Sequence, residues 1–483
     1  VTERIARASS VSFFEDLGVQ MSIHSTLVSY LERLVWLTTG HYGREGTANA
    51  FVPLLALSNA NKGKVTRAKT RTAAVSPVAG AKIITGLIPC NVIPEEILTD
   101  HPNRYRAMII QSGNPVHSLA DSQRMREAIR SLEFSVAIDV AMTETAREVD
   151  YVLPSTSQFE KAEATFFNLE FPDNAFHLRQ PLFTPAEGPL DEGEMVARLL
   201  EAMGELKSRD YGVLRLAAKA GLTAFTGAFV AKTATTPRLM KYAAPLLYRT
   251  LGPALPKGMA MAAVVWGLCQ TYLRSAPQAA ARAGFTGPAP LAANRLFKTM
   301  VGSPSGVIYA RSTFEESWAA VRRDEHRINL HIPELLDRLD EALAEVPSKD
   351  SAYPYVLSAG ERRSDTANTA VRDTAWHTKG LYGALRMSPA DADSIGCQTG
   401  DTVKLSTRRA SAEVVIEVSD MMMPGHISLP NGTGVHYRDA SGHPSMRGVA
   451  PNEFTDANLR DFLAGTPWHK HVRAKLERVE AED

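Results

Sequence analysis

One stretch limits the architecture more than any other: Ala107 to Asp139, AMIIQSGNPVHSLADSQRMREAIRSLEFSVAID. An apolar run from Ala107 to Gln111 meets a Ser-Gly-Asn-Pro turn. Met125, Ala128, Ile129 and Leu132 then recur at the spacing of one helical face. Asp121 stands where an N-cap belongs. A second apolar run, FSVAID, stops on Asp139. Two buried strands joined by a helix imply a parallel sheet with a right-handed crossover. Such sheets bind ligands beyond the carboxyl ends of their strands. Three polar loops are therefore expected at one edge: Gly113 and Asn114, Asp139 to Thr143, and Ser155 to Ser157.

The residue types at that edge suit a nucleotide. Glycine lets backbone approach a pyrophosphate, and helix N-termini favour its charge. An ionised Asp139 only accepts, so it matches paired donors: ribose hydroxyls, or the N1–H and exocyclic amine of guanine. From spacing alone, a plain turn at Gly113 and a helix cap at Asp139 are the stronger reading, because lone Gly-rich turns are weak signals.

Elsewhere the chain falls into three parts. Residues 1–205 alternate helix and strand signals. Leu27, Tyr30, Leu31, Leu34 and Val35 share a helical face that ends before Gly40. Thr145 followed by Glu148 reads as a capping box, hence a helix start. Residues 206–345 are rich in Ala, Leu and Lys with Pro/Gly breakers, a helical insertion and connector. Residues 346–483 carry short alternating strands and tight turns, the pattern of a small β-barrel. Arg362 and Arg363 there suit forked contacts to phosphate oxygens. Trp376, His377, Lys379, Asn452, Thr466, His469 and Lys470 form no nucleophile–base–acid set, and no metal-ligand spacing occurs.

Composition removes several classes. The 483 residues hold 53 Lys+Arg and 53 Asp+Glu, so charge gives no case for nucleic acid or an anionic membrane. The three cysteines, Cys90, Cys269 and Cys397, include no CxxC. That excludes an iron–sulfur set or a disulfide framework within this sequence, and buried free thiols are expected. The longest uncharged apolar run, Gly258 to Leu273, is 16 residues. A bilayer span needs ~20, so a buried or amphipathic helix is expected, with no transmembrane segment and a cytoplasmic location.

Read together, GNPVHSLADS, VAIDVAMTETAREVDYVLPSTSQFEKAEATFFN, SPADADSIGCQTGDTVKL, MMMPGHISLP and PNEFTD resemble, in order, the molybdopterin oxidoreductase family. These are the bis(molybdopterin guanine dinucleotide) enzymes such as formate dehydrogenases and nitrate reductases. The resemblance covers residues 1–205 and 300–483. It implies an α/β fold: a parallel-sheet, Rossmann-like cofactor-binding part, the helical insertion, and a C-terminal double-psi β-barrel. It implies two-electron redox at molybdenum or tungsten.

The resemblance also assigns positions. Gly113 and Asn114 correspond to a phosphate- and ribose-contacting loop, and Asp139 to the acid that recognises guanine. Thr143, Ser155 and Ser157 fall in neighbouring contact loops. Gly360, Arg362, Arg363, Asn368, Asn452 and Lys470 match positions lining the second dinucleotide and pterin. Family members carry an iron–sulfur cysteine set and a protein ligand to the metal ahead of the first matching piece, STLVSYLERLVWLTTGHYGREG. Those are expected from a preceding segment or a companion chain. The 4Fe-4S cluster is thus placed outside this sequence, which reads as a C-terminal portion. An electron-transfer subunit and a small-molecule substrate complete the expected partners. No catalytic residue and no metal ligand is assigned. A non-catalytic scaffold subunit of a redox complex is the competing reading.

Overall fold

The structure, a computed structural model, describes residues 1–55, 74–84, 86–164, 168–321, 326–345, 350–363, 371–373, 381–438 and 441–479. The chain divides into two compact units. Val1–Ser12, Thr39–Arg67 and Leu153–Ile328 form one; Phe13–Thr38, Ala68–Val152 and Asn329–Asp483 form the other.

The 107–139 stretch folds as its pattern requires. Strand β1 (Ala107–Gln111) pairs in parallel with β2 (Phe134–Asp139), Ala107 opposite Phe134 and Gln111 opposite Ile138. Strand β3 (Tyr151–Pro154) completes a sheet of order β1-β2-β3. The central position of β2 explains why Ser135 to Ile138 are all buried. The crossover helix Ser122–Arg130 is capped by Asp121, whose carboxylate accepts from the Arg124 amide at 3.3 Å. Met125 and Ile129 pack on Ile110 and Val116. Each such side chain contributes ~1.5–3 kcal/mol on burial. The helix expected after Thr145 is not there: residues 144–148 form turns. The Thr145 hydroxyl instead donates to Asn114 Oδ1 at 2.9 Å and accepts from the Val116 amide at 3.1 Å. These tertiary partners displace the local capping box.

The first unit is mainly helical. Helices Leu222–Thr235, Ala243–Thr250, Ala263–Ser275 and Ala289–Gly302 share an apolar core that includes Phe225, Leu246, Trp266 and Phe297. Strand β4 (Asp173–Phe176) runs antiparallel to β5 (Val307–Arg311) beside them. The long uncharged run supplies the buried helix Ala263–Ser275. Among the described residues no helix is long and apolar enough to cross a membrane. All three cysteines are free; Cys269 and Cys397 are buried and Cys90 is partly so.

The C-terminal strands close a barrel. They are β6 (Tyr355–Glu361), β7 (Leu385–Met387), β8 (Thr402–Ser406), β9 (Ser411–Val418), β10 (His426–Pro430) and β11 (Val472–Arg478). Their order is β8-β9-β7-β10-β6-β11, with β11 pairing back onto β8. Two pairings, β9 with β7 and β10 with β6, are parallel. This is the six-stranded C-terminal barrel expected of the fold class. Its core alternates along each strand: Val414 and Ile416 point in on β9, Leu357 and Ala359 on β6.

Helix Ser25–Thr38 buries Leu27 and Tyr30 against Leu335 and is capped from far along the chain. Asp461 accepts from the Thr26 amide at 3.0 Å, the Thr26 hydroxyl at 2.6 Å and the Ser25 hydroxyl at 3.2 Å. It also accepts from the Leu463 and Ala464 amides. Burial pushes this carboxyl up, but the Thr26 and backbone donors outweigh it and hold it below the usual range. A depressed carboxyl stabilises the fold above its ordinary value and loses that contribution as pH falls through the lowered one. Asp461→Ala should therefore cost about 1–3 kcal/mol at pH 7. In urea titrations the gap between variant and parent should narrow below about pH 4. A gap independent of pH would exclude the ionised cap.

Candidate functional site

The loops that leave β1 and β2 meet the barrel loops in one cavity of about 570 Å³, all within one compact unit. Gly113, Asn114, Asp139 and Thr143 line it from the sheet. Gly360, Arg362, Asn452 and Lys470 line it from the barrel. Ser112 does so as well, with φ at +53°. A non-glycine residue in that left-handed region costs roughly 1–2 kcal/mol, and such strain concentrates at working sites. The Ser112 amide donates to Ile138 C=O at 3.0 Å, which ties the two strand ends together.

The loops are braced by a buried carboxylate that sequence reasoning missed. Glu144 accepts from Asn114 Nδ2 at 2.7 Å, from Arg372 at 2.7 and 3.4 Å, and from the His436 amide at 2.8 Å. Burial alone would raise its carboxyl. The hydrogen bonds from Arg372 and Asn114 outweigh burial and hold it at about 2. Asn114 is thereby engaged at both ends, since its Oδ1 accepts from the Thr145 amide and hydroxyl. Arg372 reaches the cavity wall already paired. No local signal marks Glu144 or Arg372, because their partners are remote in sequence.

Three titratable side chains in the lining are shifted. Asp139, half-buried at the tip of β2, has its carboxyl raised by burial, against donation from the Val140 amide at 2.7 Å. Lys470 donates to Gly360 C=O at 2.8 Å and Ala359 C=O at 3.2 Å. Burial lowers its ammonium to about 8, with Glu361 opposing and Arg362 assisting. His469 is only 7% exposed and its Nε2 has no hydrogen-bond partner. Burial, then the Lys470 charge, lowers the imidazole to about 4, so it is neutral at pH 7. Asn452 Nδ2 donates to His117 C=O at 2.7 Å, which fixes the barrel loop against the loop after β1.

Other expected residues are placed differently. Arg363 sits in a ring of ion pairs: Arg363 to Glu361 at 3.0 Å and to Glu417 at 3.5 Å, Arg386 to Glu361 at 2.7 Å and to Glu417 at 3.1 Å. It does not line the cavity. The adjacent arginines thus divide, Arg362 to the cavity and Arg363 to the barrel. Ser155 and Ser157 belong to the other compact unit. There the Ser155 hydroxyl donates to Thr156 C=O at 3.2 Å, and Glu160 accepts from the Ser157 amide at 2.8 Å. Asn368 lies outside the described residues, as do Trp376, His377 and Lys379. Among the described residues no group of three or more His, Cys, Asp or Glu could hold a metal ion.

Comparison with known proteins adds a family. Residues 32–186 match the molybdopterin oxidoreductase model and residues 355–473 the molydopterin dinucleotide binding domain. The probable oxidoreductase YyaE of Bacillus subtilis is 33% identical over 75 residues, 16% of this chain and 11% of that protein. The F420-dependent formate dehydrogenase subunit alpha of Methanocaldococcus jannaschii is 29% identical over 109 residues, 23% of this chain and 16% of that one. The assimilatory nitrate reductase catalytic subunit of Bacillus subtilis is 28% identical over 129 residues, 25% and 18%. The matches thus span only a small part of each curated relative. Acetylene hydratase from Pelobacter acetylenicus shares the fold, with a TM-score of 0.51 at 16% identity over 99% of this chain and 62% of that one. Two models matching in sequence order, on a parallel sheet and a closed barrel, place the chain in the molybdopterin oxidoreductase family, with its molybdopterin dinucleotide-binding domain at residues 355–473.

Proposed function

We propose that this chain supplies the dinucleotide-holding portion of a molybdopterin-dependent oxidoreductase. The cavity that gathers Asp139, Arg362, Lys470 and His469 carries the reading. Its donor set fits such a cofactor. Arg362 and Lys470 would take phosphate oxygens, and the Asp139 carboxylate a pair of guanine donors. The orphaned Nε2 of His469 is a buried polar atom in want of a partner. Gly113 and Gly360 leave room beside them, and Gly360 at φ +86° needs to be glycine. When bound, a molybdenum or tungsten bis(molybdopterin guanine dinucleotide) supplies two-electron redox chemistry; the protein orients and tunes it. Thr143 and Asn452 would hold the loops around it, and the Glu144 brace would keep Gly113 in place.

The metal ligand, the iron–sulfur cluster and the electron-transfer partner are assigned to a preceding segment or companion chain. The similarity to a formate dehydrogenase subunit alpha supports an assembly of more than one chain.

GDP, a soluble stand-in for the dinucleotide tail, should bind the full chain saturably. Its affinity should fall as pH rises through about 8, where Lys470 loses its charge. Absence of saturable binding at pH 7 would overturn the reading. Elemental analysis after expression with a complete cofactor pathway and companion segment separates enzyme from scaffold: bound nucleotide with metal marks the former, nucleotide without metal the latter.

A further inference from the structure

A second cavity, of about 550 Å³, lies in the helical unit. Helices Leu222–Thr235, Ala243–Thr250 and Ala263–Ser275 enclose it, and its walls are mostly apolar: Phe229, Val230, Met240, Leu247, Trp266 and Leu268. Val230 and Met240 are 50% and 55% exposed, so the cleft opens to solvent. Neither family model covers it, since they match residues 32–186 and 355–473.

The floor is polar, and its hydrogen bonds follow one logic. The Trp266 indole can only donate, and it donates to Asn294 Oδ1 at 2.8 Å. Asn294 Nδ2 therefore faces Thr226, donating to its hydroxyl at 3.0 Å. The Gln270 atom that meets Asn294 Oδ1, at 2.9 Å, must then be its amide nitrogen, which also reaches Pro290 C=O at 3.4 Å. The Gln270 carbonyl oxygen is left over. It has no partner among the described residues, on a side chain 7% exposed that lines the cleft. One turn on, Arg274 is exposed at the rim and makes no ion pair among the described residues.

We propose that this cleft binds a small amphipathic molecule: a hydroxyl at the inner end for the Gln270 oxygen, an apolar body, and a carboxylate at the outer end for Arg274. An acceptor inside, apolar walls and a cation outside select that polarity of ligand, a hydroxylated alkanoic acid. The chemistry is independent of the dinucleotide cavity.

The probe is 10-hydroxydecanoic acid, titrated calorimetrically into the full chain against decanoic acid and methyl 10-hydroxydecanoate. Saturable binding is expected, weakened about 2- to 10-fold by loss of either polar end. Gln270→Leu should erase the preference for the hydroxy acid over decanoic acid. Ala244→Trp, at an exposed position of the wall, should block all three, with far-UV circular dichroism confirming a folded chain. No saturable binding to the parent would overturn the proposal. So would a hydroxyl preference that survives in Gln270→Leu, or undiminished binding to folded Ala244→Trp.

Discussion

Replacing Glu144 with alanine should lower the stability of the sheet-and-barrel unit by about 3–5 kcal/mol, the cost of removing one partner of a buried ion pair. The substitution takes the carboxylate from Asn114 Nδ2, the His436 amide and the Arg372 guanidinium at once, leaving Arg372 its bond to His436 C=O at 2.8 Å. The carboxyl itself agrees in size. A group held at about 2 instead of 4.5 represents ~3 kcal/mol of preference for the charged form. Because the folded value is lowered, this stability is complete above about pH 4.5 and is lost as pH falls towards 2. Glu144→Gln keeps the shape and some hydrogen bonds, so it should lose less. Urea unfolding of both variants at neutral pH is the measurement. A loss under ~1 kcal/mol for alanine would mean that Arg372 finds another partner or water, and that the loops after β1 and β2 are not braced by this carboxylate.

Asp139→Ala should abolish discrimination between guanine and adenine nucleotides. On the proposed reading the carboxylate accepts from two donors that adenine lacks. Losing those bonds while the donors stay desolvated costs about 1–3 kcal/mol, so GDP affinity should fall roughly 5- to 150-fold. ADP affinity should hardly change. In the parent chain, GDP preference should weaken towards acid sooner than for an ordinary aspartate, because burial raises this carboxyl. Competition titrations with the two nucleotides decide it. Equal GDP affinity in parent and variant would sink the base-reading role and leave Asp139 as a cap for the Val140 amide.

Local pattern carried the architecture a long way. The apolar runs around Gly113 and Asp139, the helical stripe from Met125 and the Asp121 cap describe elements whose cause lies within a few residues. The same holds for the alternation of Val414 and Ile416. The site was legible to the extent that strand ends are legible: a glycine or a carboxylate after a buried run marks its place. Arg363 shows where that ends. It reads like Arg362, yet Glu361 and Glu417, carboxylates it shares with Arg386, draw it into the barrel. Thr145 shows the same on a smaller scale, since Asn114 outcompetes its local box. His469 was visible as a candidate side chain without a role; its orphaned nitrogen is a fact of burial, and burial is a property of the whole fold.

The position of β11 in the barrel has a consequence for biosynthesis. This strand pairs with β6 and β8 and closes the ring, and His469 and Lys470 lie just ahead of it, before His471. The ring thus stays open until residues 472–478 have left the ribosome, and the wall of the cavity that Lys470 lines forms only with that closure. Closure of the barrel and completion of that cavity wall are therefore one event in folding, set by the pairing of β11 with β6 and β8.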